Sequence, residues 1–521
     1  MNKAQATTLD RPTAGAVAMV GSSAGTAHGT ESLTKEILVP AVVVVAGATM
    51  TVLDATIVNV ALPTLGHDLR TSVATVQWVA TIYMLAFAAV IPLSGWASAS
   101  FGAKRVWLAS LATFMVGSTL SGIAPSIGSL VAFRALQGLG GGMVMPLGQA
   151  MLAQVAGPKR MGRVMSVIGV PMLLVPVFGP LIGGSLVQAA SWRWIFFVNL
   201  PVGLVAVVLA ARLLPVSPRR PGQRLDVRGA MLLSGGLALF LYGLAEVASQ
   251  AEVSAPGALW PMVGGVAMVA LFARHALRAP EPLLDLRLFR ERGFASGAAA
   301  NFVIGTALFG AALLLPLYFE VVRGESPFDT GLLIVPQGLG AALSISVAGY
   351  MTDKVGARKV VPVGIALALA GTAWYTQVGA HTSYVATVLA LLLIGLGMGA
   401  SVTPAMAASF RGLSPKAMGQ ATSAINVVQR FAGALGSALL AVVLQQSMAA
   451  RLPASHGEIA RAGALAATSP HAAQALAGAF GTAFSVSFGV ALLALVPAVL
   501  LPGRRATRAH ALPITQTAKE I

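Results

Sequence analysis

Apolar residues in this chain do not alternate with polar ones; they run. Fourteen nearly uncharged stretches fall at approximately 37–62, 73–95, 105–124, 127–152, 164–188, 194–214, 227–249, 257–275, 294–320, 329–351, 360–379, 384–409, 418–447 and 478–501. A helix of roughly 20 apolar residues spans the hydrocarbon core of a bilayer. Lipid offers backbone polar groups no partners, so such runs must be helical. The pattern therefore predicts an all-α polytopic membrane protein of about fourteen transmembrane helices, with both termini on one side. Residues 37–214 are expected to form an N-terminal six-helix bundle and 294–501 a C-terminal one. Between them, 215–293 holds two further helices flanked by basic linkers. Residues 1–36 lack an apolar core behind a basic start, so they are expected to be a disordered cytoplasmic tail rather than a signal peptide. Residues 502–521 are expected to be a second cytoplasmic tail, and 449–477 an Ala-rich outer loop.

Composition agrees with the pattern. The chain is 56% hydrophobic and 10% charged, against roughly 25% charged in soluble domains. The net charge of +17 would suggest nucleic acid in a soluble protein, but its placement argues otherwise. With the N-terminus inside, the inner loops hold Lys104, Arg105, Lys159, Arg160 and Arg163, then Arg212, Arg219, Arg220, Arg224 and Arg228. Further along they hold Arg274, Arg278, Arg287, Arg290, Arg292, Lys354, Arg358 and Lys359, with Arg504, Arg505 and Arg508 in the tail. About 27 of the 34 basic residues lie inside, as the positive-inside rule requires. The reading is a multi-pass protein of the cell inner (cytoplasmic) membrane, with the lipid bilayer and not nucleic acid as its partner.

Several function classes drop out. There is no cysteine, the seven histidines are scattered, and no HExxH occurs, so neither thiol chemistry nor a metal site is expected. No GxxxxGK[ST] loop is present, which excludes ATP hydrolysis within this chain. No enzyme activity and no cofactor are expected; the energy source would be a gradient.

The two bundles carry a repeat. Gly95-Trp-Ala-Ser-Ala-Ser-Phe-Gly102-Ala-Lys-Arg105 follows the second run, and Gly349-Tyr-Met-Thr-Asp353-Lys-Val-Gly356-Ala-Arg-Lys359 follows the tenth. Parallel repeats around a central cavity are a transporter architecture.

These and further motifs resemble the major facilitator superfamily, specifically its fourteen-helix drug:proton antiporter branch (EmrB/QacA-like). Leu53-Asp-Ala-Thr-Ile-Val-Asn-Val-Ala-Leu-Pro63 resembles that branch's first helix, and Leu130-Val-Ala-Phe-Arg134-Ala-Leu-Gln137-Gly138 its fourth. Gly169, then Gly179-Pro180-Leu-Ile-Gly183-Gly184, resembles the fifth-helix antiporter motif, and Trp192 to Gly203 the entry to the sixth helix. The resemblance implies the major-facilitator fold, proton-coupled export of small amphipathic or lipophilic compounds by alternating access, and a proton-linked role for Arg134. It also raises a periplasmic adaptor and an outer-membrane channel as partners in a cell with two membranes. A proton-coupled importer or a specific metabolite exporter on the same fold is the rival reading. One departure is Ala99, where the family usually has an acid; the second-half copy keeps Asp353.

The sharpest residue is Asp54, a carboxylate inside an apolar run. Such a group costs several kcal/mol unless paired, hydrated or protonated, so it is the first candidate for proton coupling. At 1.5 Å per residue, Asp54 and Arg134 both lie roughly 12–14 Å below the outer surface, so either can reduce the cost of the other. The bland alternatives are a hydrogen-bonded structural Asp and an Arg bound to backbone carbonyls. Substrate, above all cationic substrate, would favour the deprotonated carboxylate. Gly179 and Gly183 present a smooth face for helix packing, and Pro171, Pro176 and Pro180 remove backbone donors from the same helix. With Gly95, Gly102, Gly169, Gly184, Gly349, Asp353 and Gly356 they are the gating candidates. Asn59, Gln77, Trp78, Tyr83, Gln137 and Asn301 are candidates to line a substrate cavity. Glu246 and Glu320 read as solvated carboxylates near outer helix ends.

Overall fold

The computed structural model describes residues 35–216, 222–250, 255–411, 413–414 and 417–502; within these, side chains at 156–174, 180 and 353 among others are outside the described set. The tails expected at 1–36 and 502–521 fall almost wholly outside it, and the surroundings of the gating candidates Gly169, Pro180 and Asp353 lie outside the described set.

The first half comprises α1 (Lys35–Asp68), α2 (Val73–Val90), α3 (Leu93–Phe101), α4 (Ala103–Gly122), α5 (Ile127–Ala189), α6 (Trp194–Phe197) and α7 (Asn199–Leu213). The inserted pair is α8 (Val227–Gln250) and α9 (Pro256–Arg278). The second half comprises α10 (Arg292–Leu317), α11 (Pro327–Val355), α12 (Ala357–Tyr375), α13 (Tyr384–Phe410), α14 (Met418–Arg451), α15 (Ile459–Thr468), α16 (Pro470–Leu493) and α17 (Leu495–Val499). Among the described residues, ten helices are long and apolar enough to cross a bilayer, or eleven if a bent pair counts as one span.

Local chemistry sets several boundaries. Ser72 caps α2 through the Thr75 amide, and Ser126 and Ser129 form a reciprocal capping box at the start of α5. The run expected at 73–95 breaks into α2 and α3 with a 56° bend. Pro92 is the cause, since it has no N–H to continue the ladder. The loop expected at 449–477 is largely helical: α14 continues to Arg451, α15 occupies its middle, and α16 starts at Pro470. Alanine is a strong helix former, and Pro470 at the first turn is compatible with initiation.

Depth markers show that α5 contains two antiparallel limbs. Arg134 lies against Asp54, Gly148 against Val44, then Gly179 against Thr56 and Gly183 against Ile57. The chain thus descends along α1 and climbs back beside it. The internal repeat is also visible in the backbone. Gly102 joins α3 to α4 at φ 87°, ψ 132°, and Gly356 joins α11 to α12 at φ 89°, ψ 152°. Both lie in the left-handed region that glycine tolerates without strain.

The halves meet at the end that carries these glycines and the basic loops. There a single apolar core draws on both, from Val44, Phe87, Trp107 and Leu147 to Phe294, Phe410, Ile425 and Val427. The Ser94 and Ser423 hydroxyls lie 2.8 Å apart, and Asn426 Nδ2 donates to Gln149 Oε1 at 2.8 Å. At the opposite end the halves have separate cores, one around Ile57, Val79, Leu130 and Phe196, the other around Tyr318, Tyr375, Leu391 and Phe480. The molecule is closed at its basic end and divided at the other. The inserted pair packs outside this seam: Trp78 of α2 stacks on Tyr242 of α8, and Phe240 of α8 meets Phe431 of α14. Only 17% of the apolar window of α9 is buried inside the protein, against 61% for α1, which puts α9 at the perimeter.

Candidate coupling site in the first half

Four of the first-half candidates converge. Arg134 Nη1 donates to Asp54 Oδ2 at 2.6 Å and to Gln137 Oε1 at 2.7 Å, while Gln137 Nε2 donates to Asp54 Oδ1 at 2.8 Å. Arg134 and Gln137 are three residues apart on α5 and so share a face; both meet the carboxylate from the same side. Arg134 Nε is taken by the Val79 carbonyl at 3.1 Å, and the guanidinium lies 4.1 Å over the Tyr83 ring. Tyr83 in turn donates its hydroxyl to the Thr51 carbonyl at 3.2 Å, one turn before Asp54. Asp54, Arg134, Gln137 and Tyr83 are each at most 1% exposed, so this is an ion pair without water contact.

Two further residues complete it. Asn199, the first residue of α7, donates from Nδ2 to Asp54 Oδ1 at 3.0 Å and to Ser118 Oγ at 3.1 Å; Ser118 donates to the Phe196 carbonyl at 2.8 Å. The helix is interrupted at Val198, between α6 and α7, and Asn199 opens α7 with its side chain buried. Asp54 therefore accepts from three side chains on two other helices. The Asn199 side-chain oxygen Oδ1 has no partner among the described residues, so the network is one acceptor out of balance. Uncharged polar residues in apolar helices are common, which left Asn199 and Ser118 without a distinguishing signal in the sequence beyond the motif Asn199 belongs to.

Glycines bring the neighbouring backbones close. A Cβ at Gly183 would lie 2.7 Å from Ile57 Cγ1 and 3.0 Å from its carbonyl, and one at Gly138 would meet the Tyr83 carbonyl at 2.5 Å. The helix bearing Asp54 is thus packed directly on the motif glycines of α5. At Gly184 the space is open, with Val60 the nearest neighbour at 4.0 Å. At the basic end, Gly95 lies against Gly419 and Ser423 of α14, and Gly349 is buried. Lys104 donates to the Ala211 and Leu214 carbonyls at 2.9 and 2.7 Å, capping the end of α7 with a cation.

The other candidates do not join this site. Asn59 is exposed on α1 and bonds its own helix at Ala55. Gln77 is exposed, and Trp78 anchors α8 instead of facing a shared cavity. Asn301 is buried in α10 and donates to Gly297 at 2.8 Å. Glu246 is half-buried near the end of α8, and Glu320 is exposed. Among the described residues the second half has no equivalent buried charge pair. Gly395 and Gly399 of α13 press on α11 as Gly138 and Gly142 of α5 press on α2. The residue four before Gly395, matching Arg134, is Leu391, fully buried among Leu314, Tyr318 and Phe480.

Comparisons with known proteins agree with this architecture. The chain is 39% identical over 495 residues to a protein named "Multidrug resistance protein B homolog" from Mycobacterium tuberculosis, covering 90% of this chain and 91% of the relative. It is 35% identical to "Puromycin resistance protein pur8" of Streptomyces alboniger, covering 80% and 83%. Among solved structures it resembles the human organic anion transporter MFSD10 at TM-score 0.59 and 18% identity, covering 89% of this chain and 99% of that one. It also resembles the proton:xylose symporter XylE at TM-score 0.56 and 15% identity, covering 88% and 94%; both show shared fold. Residues 44–437 match the family described as Major Facilitator Superfamily, and with that span and the mycobacterial relative in hand, the chain belongs to it.

Proposed function

We propose that this protein exports small amphipathic compounds in exchange for protons, with Asp54 as the proton-carrying group and about fourteen membrane spans. The observation that carries the proposal is the buried Asp54–Arg134 pair. Within a bilayer an ion pair gives little net stability, because desolvation offsets its attraction; a pair kept there has a switching role. The drug-resistance names of two relatives support the exporter reading.

In the present arrangement the Asp54 carboxylate accepts hydrogen bonds from three side chains. In the proposed cycle the halves rock about their seam, and Asp54 exchanges its hydrogen bonds to Arg134 and Gln137 for a proton as the first half rearranges around it. That exchange is the proton-loading step of the proposed cycle. Protonation state and access are coupled because each arrangement favours a different charge on Asp54. Positive-inside bias puts the closed, basic end in the cytoplasm, so the divided end faces outward, where protons would enter. The span count rests on the bent α2–α3 pair, α4, α12 and the return limb of α5 crossing with the ten apolar helices.

The test is dye efflux in everted vesicles with and without a proton gradient. Wild type is expected to move dye only with the gradient, and Asp54→Asn to abolish gradient-driven movement at unchanged membrane expression. Undiminished efflux by Asp54→Asn would remove Asp54 from the mechanism.

A further inference from the structure

A second cation lies inside a membrane span and plays no part in the pair. Arg430 is on α14, twelve residues from its start at Met418, and is half-buried. Its guanidinium lies 4.2 Å over the Phe87 ring of α2, across the seam between the halves. Among the described residues it donates no hydrogen bond and forms no ion pair. Arginine has five N–H donors and remains charged, and a cation–π contact satisfies none of them. Such a group in a span needs water or an anion.

Its position is at the floor of the divided region. Helices α2–α3 and α14 run antiparallel along the seam, with Ser94 beside Ser423 and, seven residues on along each, Phe87 beside Arg430. Below this level the halves share one core through Ile91, Ile425 and Val427; Asn426, one turn down α14, is tied to Gln149. Above it their cores are separate. The charged and titratable neighbours on the first-half side are Tyr83, Asp54 and Arg134, with Tyr83 inside the electrostatic reach of both guanidinium groups. Asp54 is already matched by Arg134, which leaves the surplus charge here positive. A cationic substrate therefore meets repulsion at this floor rather than a free carboxylate.

We propose that Arg430 is the recognition residue for an amphipathic anion, a carboxylate or similar oxyanion carrying an apolar body. The anion takes the unused guanidinium donors in a planar, two-point contact, and the apolar body lies along Phe87 and the aromatic and aliphatic side chains of the cleft. This deepens the exporter reading by naming a substrate class, and rests on it for the direction of movement. For such a substrate, the negative-inside membrane potential also assists exit, because each negative charge moves down the electrical gradient.

Binding can be read without any gradient. The full chain in nanodiscs of uncharged phosphatidylcholine is titrated with dansylamino-undecanoate and with its methyl ester. The carboxylate is expected to bind about tenfold or more tighter than the ester. Arg430→Gln should erase that preference while leaving ester affinity within about twofold, and Arg430→Lys should keep part of it, since lysine supplies charge but not the fork. Thermal unfolding of each variant checks folding; if Arg430→Gln fails to fold, Arg430→Lys with a reduced preference decides. No preference in wild type, no binding of either probe, or a preference intact in Arg430→Gln overturns the proposal. Displacement of the probe by phosphatidylglycerol added to the disc also overturns it, by assigning the site to a lipid headgroup. Failure of the exporter reading appears elsewhere, as gradient-independent dye movement in vesicles.

Discussion

At the scale of single residues, stability and coupling make different demands on Asp54 and Arg134. Breaking a buried pair by removing one partner leaves an uncompensated charge and costs about 3–5 kcal/mol. Arg134→Met is thus expected to lower the thermal midpoint sharply in detergent. The double variant Asp54→Leu/Arg134→Met removes both charges and should recover most of that loss, yet show no gradient-driven efflux. A double variant as unstable as Arg134→Met would mean that the pair is held for packing. Asp54 and Arg134 were legible in the sequence because a charge in a long apolar run has no bland neighbours to hide among. Their direct contact was not, since equal depth on two helices leaves rotation about each axis open. Arg430 escaped notice for a physical reason: with Asn426 and Gln429 close by, the first third of α14 reads as a polar helix end, and only the seam shows that it lies against the other half. Trp78 failed in the opposite direction. An aromatic on a first-half helix fits a cavity wall, but an inserted helix the pattern could not position lies across it.

At the scale of elements, packing and backbone conformation give separate predictions for neighbouring glycines. Gly183→Ala forces Ile57 and its helix away, so it should reduce efflux strongly, whereas Gly184→Ala meets only Val60 at 4.0 Å and should be near neutral; equal effects at the two sites would refute the packing account. Gly102→Ala and Gly356→Ala each place a Cβ at positive φ, at a cost of about 1 kcal/mol or more, and calorimetry should find similar losses at both because the repeat gives them one backbone shape. The junction of the inserted pair is sensitive to acid. Asp226, just before α8, accepts from the Gly229 amide at 2.8 Å, the His275 ring at 2.8 Å and the Leu283 amide at 3.1 Å. Burial pushes its carboxyl up, but these hydrogen bonds outweigh it and hold the group below the ordinary carboxylate range. Its stabilisation is therefore full above the unfolded value of about 3.9 and is lost as pH falls through the lower folded value. Thermal midpoints should drop in that acid window for wild type and stay flatter for Asp226→Asn. The fourteen apolar runs foretold where most of these helices lie; the bend at Pro92 and the helical loop after Arg451 depend on how neighbouring runs pack, which no single run encodes.

At the scale of the whole molecule, one shared core at the basic end and two separate cores at the other make the seam the moving part. Interiors are close-packed and do not deform continuously, so opening the basic end must separate Ser94 from Ser423 and Asn426 from Gln149 as a unit. The absence of cysteine makes this directly testable. The two serine hydroxyls are 2.8 Å apart, close enough for a disulfide to replace them with small adjustment. In Ser94→Cys/Ser423→Cys, oxidation is expected to stop gradient-driven efflux completely and reduction to restore it, while each single variant remains active under both conditions. Oxidised double variant should still bind ligand from the divided end, because the lock lies below Arg430 and leaves the cleft above it unchanged. Full transport with the disulfide quantitatively formed would show that the seam does not open during the cycle, and alternating access about this interface would have to be given up.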